Sequence, residues 1–469
     1  MTSYFARLDR VIPGDNDVPL RVLLDAIRTD WSGFESGPFA LSANMESADA
    51  PARSYWQSLF SNGLVETDAF EDAPIVQIEV SDPRDRSLPR QLLNPRRPWL
   101  QVETEVDDGI GAIIYSPGEK GLFDEQVEDS IANEVVLTES AAALSRIFDM
   151  QSWARADAGE VYEILSGVSA LSQMISIDVG QGSALALADT AGKPRLYFDV
   201  GAGMGRHSST TPTDLTFCVC NPKAIVLSHW DTDHWIGARA DPRLLKQIWI
   251  APLQRVGPSH AKLANDILIA GGDIKIYASK QSVSVPLYWN KPKWGLRSKT
   301  PDQQLSLVPC SGKSRNDSGF ALRILDFNRS LQWLLCGDAS YDVIPQPPAE
   351  ESVEYAVVTA SHHGALQRRK GSVIPPAPAR NGRYARLLYS FGLPNHFGHP
   401  HASTVTANAI QGWRHGAMIA PYNPKRQDVL ATGLGDLLQS RASVAGGWRR
   451  RPLVAHHLIA CVPGYRFVR

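Results

Sequence analysis

His229, Asp231, Asp233 and His234 fall within one short loop, Ser228-His229-Trp230-Asp231-Thr232-Asp233-His234. Imidazole and carboxylate are both ligands of first-row metals, and the mixture suits Zn²⁺ or the harder Mn²⁺ better than thiolate chemistry would. The preceding Ala224-Ile225-Val226-Leu227 is apolar and β-branched, as a buried strand is, so the polar residues emerge at its carboxyl end. Catalytic loops sit there in layered α/β folds. Two further apolar runs end in the same residue types: Leu331 to Cys336 leads into Gly337-Asp338, and Tyr355 to Thr359 leads into His362-His363. Three such strand ends converging on one rim could surround one or two cations. A cation there lowers the pKa of bound water from about 15.7 towards about 7 and polarises a substrate oxygen. The chemistry expected is hydrolysis.

The loop resembles the signature of the metallo-β-lactamase fold, His-x-His-x-Asp-His, with Asp231 where the second His is usual. The same Asp marks one subgroup, the soluble domain attached to the ComEC DNA-uptake channel of competent bacteria. Further motifs are similar to that subgroup in the same order. Met174 to Gly182 resembles its opening strand and Asp-Val-Gly-Gln-Gly turn, although Ser183 follows where an Asp is normal. Leu196 to Gly201 resembles the next strand and its Asp-x-Gly turn. Leu334 to Asp338 resembles the later strand ending in Gly-Asp, Ser361 to Gly364 the His-His-Gly turn, and Asn395 to Pro400 the closing Gly-His-Pro motif. The resemblance spans residues 174 to about 420. It implies an α/β chain: a metallo-β-lactamase αββα sandwich over 171–469, preceded by a smaller α+β accessory domain over 1–170.

On this reading His229 and Asp231 serve one metal position, and Asp233, His234 and one of His362 and His363 serve the other, with Asp338 bridging. Each imidazole should be oriented by a carboxylate or a backbone carbonyl. The wider fold supplies another His between the loop and the Gly-Asp strand. His260 is the only His in that window, in a segment that reads as a loop leading into a helix. The ComEC-like subgroup has Asn and Ser there instead, and Asn316-Asp317-Ser318 matches them, so the resemblance implies one position that is weak or fills only when substrate supplies oxygens. His399 either completes that position or donates a proton to the leaving group, and Asp233 orients the attacking water. His396 and His401 fit supporting or surface roles, and His207, His415, His456 and His457 structural ones. Arg368, Arg369 and Lys370 follow the His-His-Gly turn, and with Asn395 they would meet a phosphate-bearing substrate.

Other sites are excluded by inspection. The chain has no Gly-x-Ser-x-Gly elbow, no phosphate-binding P-loop and no His-Glu-x-x-His helix. Val200 to Arg206 follows a strand and is glycine-rich, but its third Gly comes one residue early for a dinucleotide fingerprint. The five cysteines form no Cys-x-x-Cys pair, and Met1 to Arg10 has charges and no apolar core, which points to reduced thiols and a cytoplasmic location. No window approaches the roughly 18 to 20 apolar residues of a membrane span. A net charge of −2 over 469 residues excludes coating nucleic acid through overall charge. Within 1–170, Ile75 to Val80, Trp99 to Val106 and Ala112 to Tyr115 read as strands, and helical spacing appears around Leu144, Ile147 and Phe148 and around Val161, Ile164 and Leu165.

Three functions are then open. The first is a phosphodiesterase or nuclease acting on a nucleic acid or nucleotide; soluble members of the subgroup are linked to bacterial antiviral defence. The second is an amide, lactone or thioester hydrolase on the same fold. The third is a non-catalytic regulatory metal protein that meets a protein partner through residues 1–170.

Overall fold

The structure is a computed structural model. It describes residues 1–12, 20–46, 50–63, 67–81, 92, 99–105, 109–118, 123–132, 136–213, 215–289, 301–328, 330–346, 353–366, 373–378, 386–392, 397–413, 429–431, 442–444 and 453–454. The chain is α/β and divides into two units, Met1–Ala154 with Arg255–Asp273, and Arg155–Gln254 with Ile274–Arg469.

In the first unit the strands are β1 (Thr2–Ile12), β2 (Arg21–Arg28), β3 (Ile75–Ser81), β4 (Leu100–Thr104), β5 (Ile110–Ser116), β6 (Glu125–Ile131) and β7 (Val136–Leu137). They pair in the order β1-β2-β3-β5-β6-β4-β7, and β1 also pairs with β4, which closes a small antiparallel barrel. Alternate side chains fill it: Tyr4 and Ala6, Val22, Leu24 and Ala26, Val76, Ile78 and Val80, Leu100 and Val102. The opposite faces of β1 and β2 carry Arg7, Arg21 and Asp25, which are buried all the same. Arg7 bonds Asp149 and the carbonyl of Val256, and Asp25 receives Ser259 from the helix Pro258–Ile269.

In the second unit the strands are β8 (Arg155–Ala156), β9 (Gln173–Ser176), β10 (Ala184–Ala188), β11 (Pro194–Val200), β12 (Ile225–Val226), β13 (Ile248–Pro252), β14 (Asp273–Tyr277), β15 (Val283–Leu287), β16 (Gln303–Pro309), β17 (Phe320–Asp326), β18 (Leu331–Leu335), β19 (Glu354–Thr359), β20 (Arg386–Tyr389), β21 (Val429–Ala431), β22 (Ala442–Val444) and β23 (Leu453–Val454). One sheet runs β23-β22-β9-β10-β11-β12-β13-β14-β8 and the other β15-β16-β17-β18-β19-β20-β21. A single core joins them, with Leu187, Leu196, Phe198, Val226 and Ile250 from one sheet against Leu307, Leu322, Trp333, Leu335 and Val357 from the other. Successive residues part company as the pleat demands: Leu335 faces this core while Leu334 faces away, and Val357 and Val358 divide in the same way. The outward set, with Cys310, Tyr341, Leu387 and Tyr389, packs against Trp413 and against Ala407 of the helix Ala402–Ile410.

Both sheets change from antiparallel to parallel pairing partway across, at β11–β12 and at β18–β19. Parallel strands carry their connecting loops to the same end, so the residues following β11, β12, β18, β19 and β20 can meet. Ligand sites form at such carboxyl ends in open α/β sheets.

Candidate metal centre

Asp199 ends β11 with φ 61°, a left-handed conformation that Asp tolerates better than most residues. Its Oδ1 accepts from the Ser228 backbone N at 2.7 Å, and its Oδ2 accepts from Ser228 Oγ at 2.8 Å and His234 Nδ1 at 2.7 Å. Having donated to Asp199, the Ser228 hydroxyl accepts from His229 Nδ1 at 3.0 Å. One buried carboxylate therefore sets the tautomer and orientation of two imidazoles on the neighbouring loop, leaving each Nε2 as a ligand atom. His363 reaches the same state through a carbonyl: its Nδ1 donates to Ser390 O, just past β20, at 2.6 Å.

The three Nε2 atoms all face carboxylates. His234 Nε2 lies 3.2 Å from Asp338 Oδ1, His363 Nε2 lies 3.5 Å from the same oxygen and 3.4 Å from Asp233 Oδ2, and His229 Nε2 lies 3.6 Å from Asp338 Oδ2 and 3.4 Å from Asp231 Oδ2. His362 Nε2 is 3.5 Å from Asp338 Oδ2. The Nε2 atoms of His229, His234 and His363 are buried and make no hydrogen bond. Bonds of about 2.0–2.1 Å to a tetrahedral cation separate adjacent ligand atoms by about 3.4 Å. The contacts have the spacing of ligands around a cation. Among the described residues two groups satisfy it, His229 with His234 and Asp338, and Asp233 with His234 and His363. The residues present therefore fit a metal of the Zn²⁺ class.

Electrostatics point the same way. Burial alone would raise the Asp338 carboxyl, but the surrounding imidazoles of His362, His234, His363 and His229 hold it well below the usual carboxylate range. Burial would lower His234, yet Asp338 and Asp199 keep it well above the ordinary imidazole value. His363 is also raised, with Asp338 and Asp233 outweighing its burial. The centre draws positive charge strongly, as protons or as a cation.

Backbone shape makes this possible. A Cβ on Gly201 would lie 1.7 Å from Asp233 O, so only glycine lets the ligand loop dock on the end of β11. His362 and His363 are consecutive left-handed residues, with φ 49° and 54°. Such conformations cost roughly 1–3 kcal/mol each and persist where the surroundings fix them. They are followed by Gly364, where a Cβ would meet Tyr389 at 2.6 Å.

The structure thus brings together His229, Asp231, Asp233, His234, Asp338, His362 and His363. His399 lies at their edge, its ring 5.7 Å from that of His362 and 6.3 Å from that of His363, and stacked on Phe397. Burial, with His362 and His363 beside it, lowers His399 well below the ordinary value. His260 belongs to the first unit, its Nδ1 3.0 Å from Asp25 Oδ2. His401 caps the helix Ala402–Ile410, accepting from Ser403 N. Trp230 and Trp235 are fully buried, so neither offers a face to a base. Arg368, Arg369, Lys370, Asn395 and His396 lie outside the described residues.

Sequence reasoning missed several contributors. Asp199 stood in a recognised turn without a role, and Ser390 acts through a carbonyl, which no side chain announces. Arg315 went unread: its Nη1 lies 3.1 Å from Asp231 Oδ1. Asn316, by contrast, was already marked by the subgroup resemblance, and its Nδ2 reaches Asp338 Oδ2 at 3.5 Å and His362 Nδ1 at 3.3 Å.

No family model and no curated protein matches this chain. Among solved structures, Zn²⁺-bound PqqB from Methylobacterium extorquens is similar with a TM-score of 0.29 and 9% identity, over 56% of this chain and 98% of that one. Among the described residues, no helix is long and apolar enough to cross a membrane.

Proposed function

We propose that this chain is a metal-dependent hydrolase of the metallo-β-lactamase fold, in the ComEC-like subgroup, that holds one or two Zn²⁺ or Mn²⁺ ions and cleaves a phosphodiester. The observation that carries this reading is the set of three buried imidazoles, each fixed through Nδ1 with Nε2 directed at a carboxylate. Asp231 in place of a histidine, and Asn316 beside Asp338 and His362, support the subgroup. Cations bound here would supply Lewis acidity and a more acidic water.

His229, Asp231, His362 and Asp338 Oδ2 would hold one cation, and Asp233, His234, His363 and Asp338 Oδ1 the other. Both histidines of the pair are then used, one on each side of Asp338, where the sequence reading engaged one. Asp233 would also orient the attacking water. The sequence reading offered His399 either as completing a metal position or as a proton donor; burial beside His362 and His363 holds its ring neutral, which favours the first of these. Arg315 supports an anionic substrate, and Arg368, Arg369, Lys370 and Asn395 are proposed as further phosphate contacts. A protein partner for the N-terminal unit, and an antiviral setting, rest on the subgroup resemblance alone.

The test is turnover of bis(p-nitrophenyl) phosphate, a β-lactam reporter and a thioester reporter by metal-reconstituted protein. Phosphodiester cleavage abolished in an Asp233→Ala, His234→Ala double variant is expected. Cleavage of an acyl reporter alone would replace phosphodiester by acyl hydrolysis. Metal retention without any turnover would make the chain a binding protein.

A further inference from the structure

The two halves of the centre are built unequally. Around Asp233, His234, His363 and Asp338 Oδ1, both imidazoles are tied by short hydrogen bonds to Asp199 and Ser390, and all four residues are buried. Around His229, Asp231, His362 and Asp338 Oδ2, both carboxylates also take donors from one loop, and on Asp231 the oxygen taken is Oδ1 while Oδ2 faces His229 Nε2 at 3.4 Å. Arg315 Nη1 holds Asp231 Oδ1 at 3.1 Å, and Asn316 Nδ2 lies 3.5 Å from Asp338 Oδ2. The His362 side chain is 35% exposed, against 3% for His363.

The loop that delivers Arg315 is itself fixed. Gln254 Nε2 donates to Arg315 O at 2.6 Å and to Ser318 Oγ at 3.0 Å, and Asp317 Oδ1 accepts from Ser340 N at 3.0 Å. The guanidinium is 12% exposed. It therefore stands as a built-in cation beside one metal position. A guanidinium in that place does two things to a dication: through Oδ1 it offsets the charge that Asp231 presents at Oδ2, and it repels the second positive charge in a poorly screened environment. An anionic oxygen arriving from a substrate would reverse both effects, because it adds negative charge and offers the guanidinium another partner.

We infer that Arg315 is a positioning residue that keeps the His229–Asp231–His362 position weak until an anionic oxygen of the substrate, of the phosphate class, completes it. The inference rests on the proposed metal-dependent function and adds to it an order of filling and a residue that sets it. Asp231 and Arg315 form one device: a carboxylate where an imidazole is usual in the resembled family, and a cation that offsets its charge.

The test is Zn²⁺ binding measured by competition against a chromophoric chelator, for the whole chain and its Arg315→Gln and Arg315→Lys variants, with and without inorganic phosphate. The wild type should bind one equivalent tightly and a second weakly, and phosphate should tighten the second. Arg315→Gln should tighten the second equivalent in the absence of phosphate, by about tenfold or more, the size of shift that a charge within about 4–6 Å produces, and should lose the phosphate effect. Arg315→Lys, which keeps the charge, should stay near the wild type. Retention of the tight equivalent shows that each variant is folded. Two equal sites in the wild type, or a second site in Arg315→Gln that is unchanged or weaker, would overturn the inference. No Zn²⁺ bound by the wild type would instead overturn the metal-dependent function on which it rests.

Discussion

His234 shows how one side chain can report the character of the whole centre. Burial works against its charge, yet Asp338 and Asp199 raise its basicity well above the ordinary imidazole value, and Asp338 is lowered in return. In the metal-free protein the His234 contribution to stability is fully present below the unfolded value of about 6.5 and is lost as pH rises through the raised folded value. Asp338 contributes in the opposite sense: its share is present above the unfolded value of about 3.9 and is lost as pH falls through the lowered folded value. A metal must displace the protons that the imidazoles hold. Zn²⁺ uptake near pH 7 should therefore release protons, seen as a heat of binding that depends on the ionisation enthalpy of the buffer, and affinity should fall as pH is lowered. A heat independent of buffer would contradict this charge state. The residues of the proposed centre were legible as candidates, because each follows an apolar run and so stands at a strand end. Asp199 and Arg315 were not, because their roles depend on partners 35 and 84 residues away.

Among the elements, strands with clean apolar alternation were visible, as Ile75 to Val80 and Ala112 to Tyr115 show against β3 and β5. The helix Ala158–Ser166 was visible from the spacing of Val161, Ile164 and Leu165, while its capping box, Asp157 with Glu160, was not read. β1 and β2 were hidden by their charges. Arg7 and Asp25 read as surface residues until partners 142 and 234 residues away are supplied, Asp149 and Ser259. Sequence patterning assumes that charge means solvent, and here buried pairing overrides it. Asp25 is the anchor of the helix Pro258–Ile269, accepting from Ser259 N and Ser259 Oγ. Asp25→Ala should cost about 3 kcal/mol, since it strands buried donors, and should make residues 255–273 the first site of limited proteolysis. Metal content should not change. An unaltered melting temperature would show that this contact is not what holds the helix.

For the molecule as a whole, the second unit carries every ligand in the proposed centre, and the first carries none of them. The overall charge of −2 attracts no polyanion, so any affinity for phosphate has to arise locally, at the metal positions and Arg315. The two-sheet core was legible as a set of apolar runs, and its closure was not, because pairing across the sheets is set by contacts between distant strands. In the proposed centre the loops following β12, β18 and β19 form one cation site. Anomalous diffraction at the zinc absorption edge, from crystals grown with Zn²⁺, tests it most directly. A strong peak is expected among Asp233, His234, His363 and Asp338, with a weaker neighbour beside His229 and Asp231 that strengthens when phosphate is added. An anomalous map with no peak among these residues, or with zinc bound only elsewhere on the chain, would contradict it.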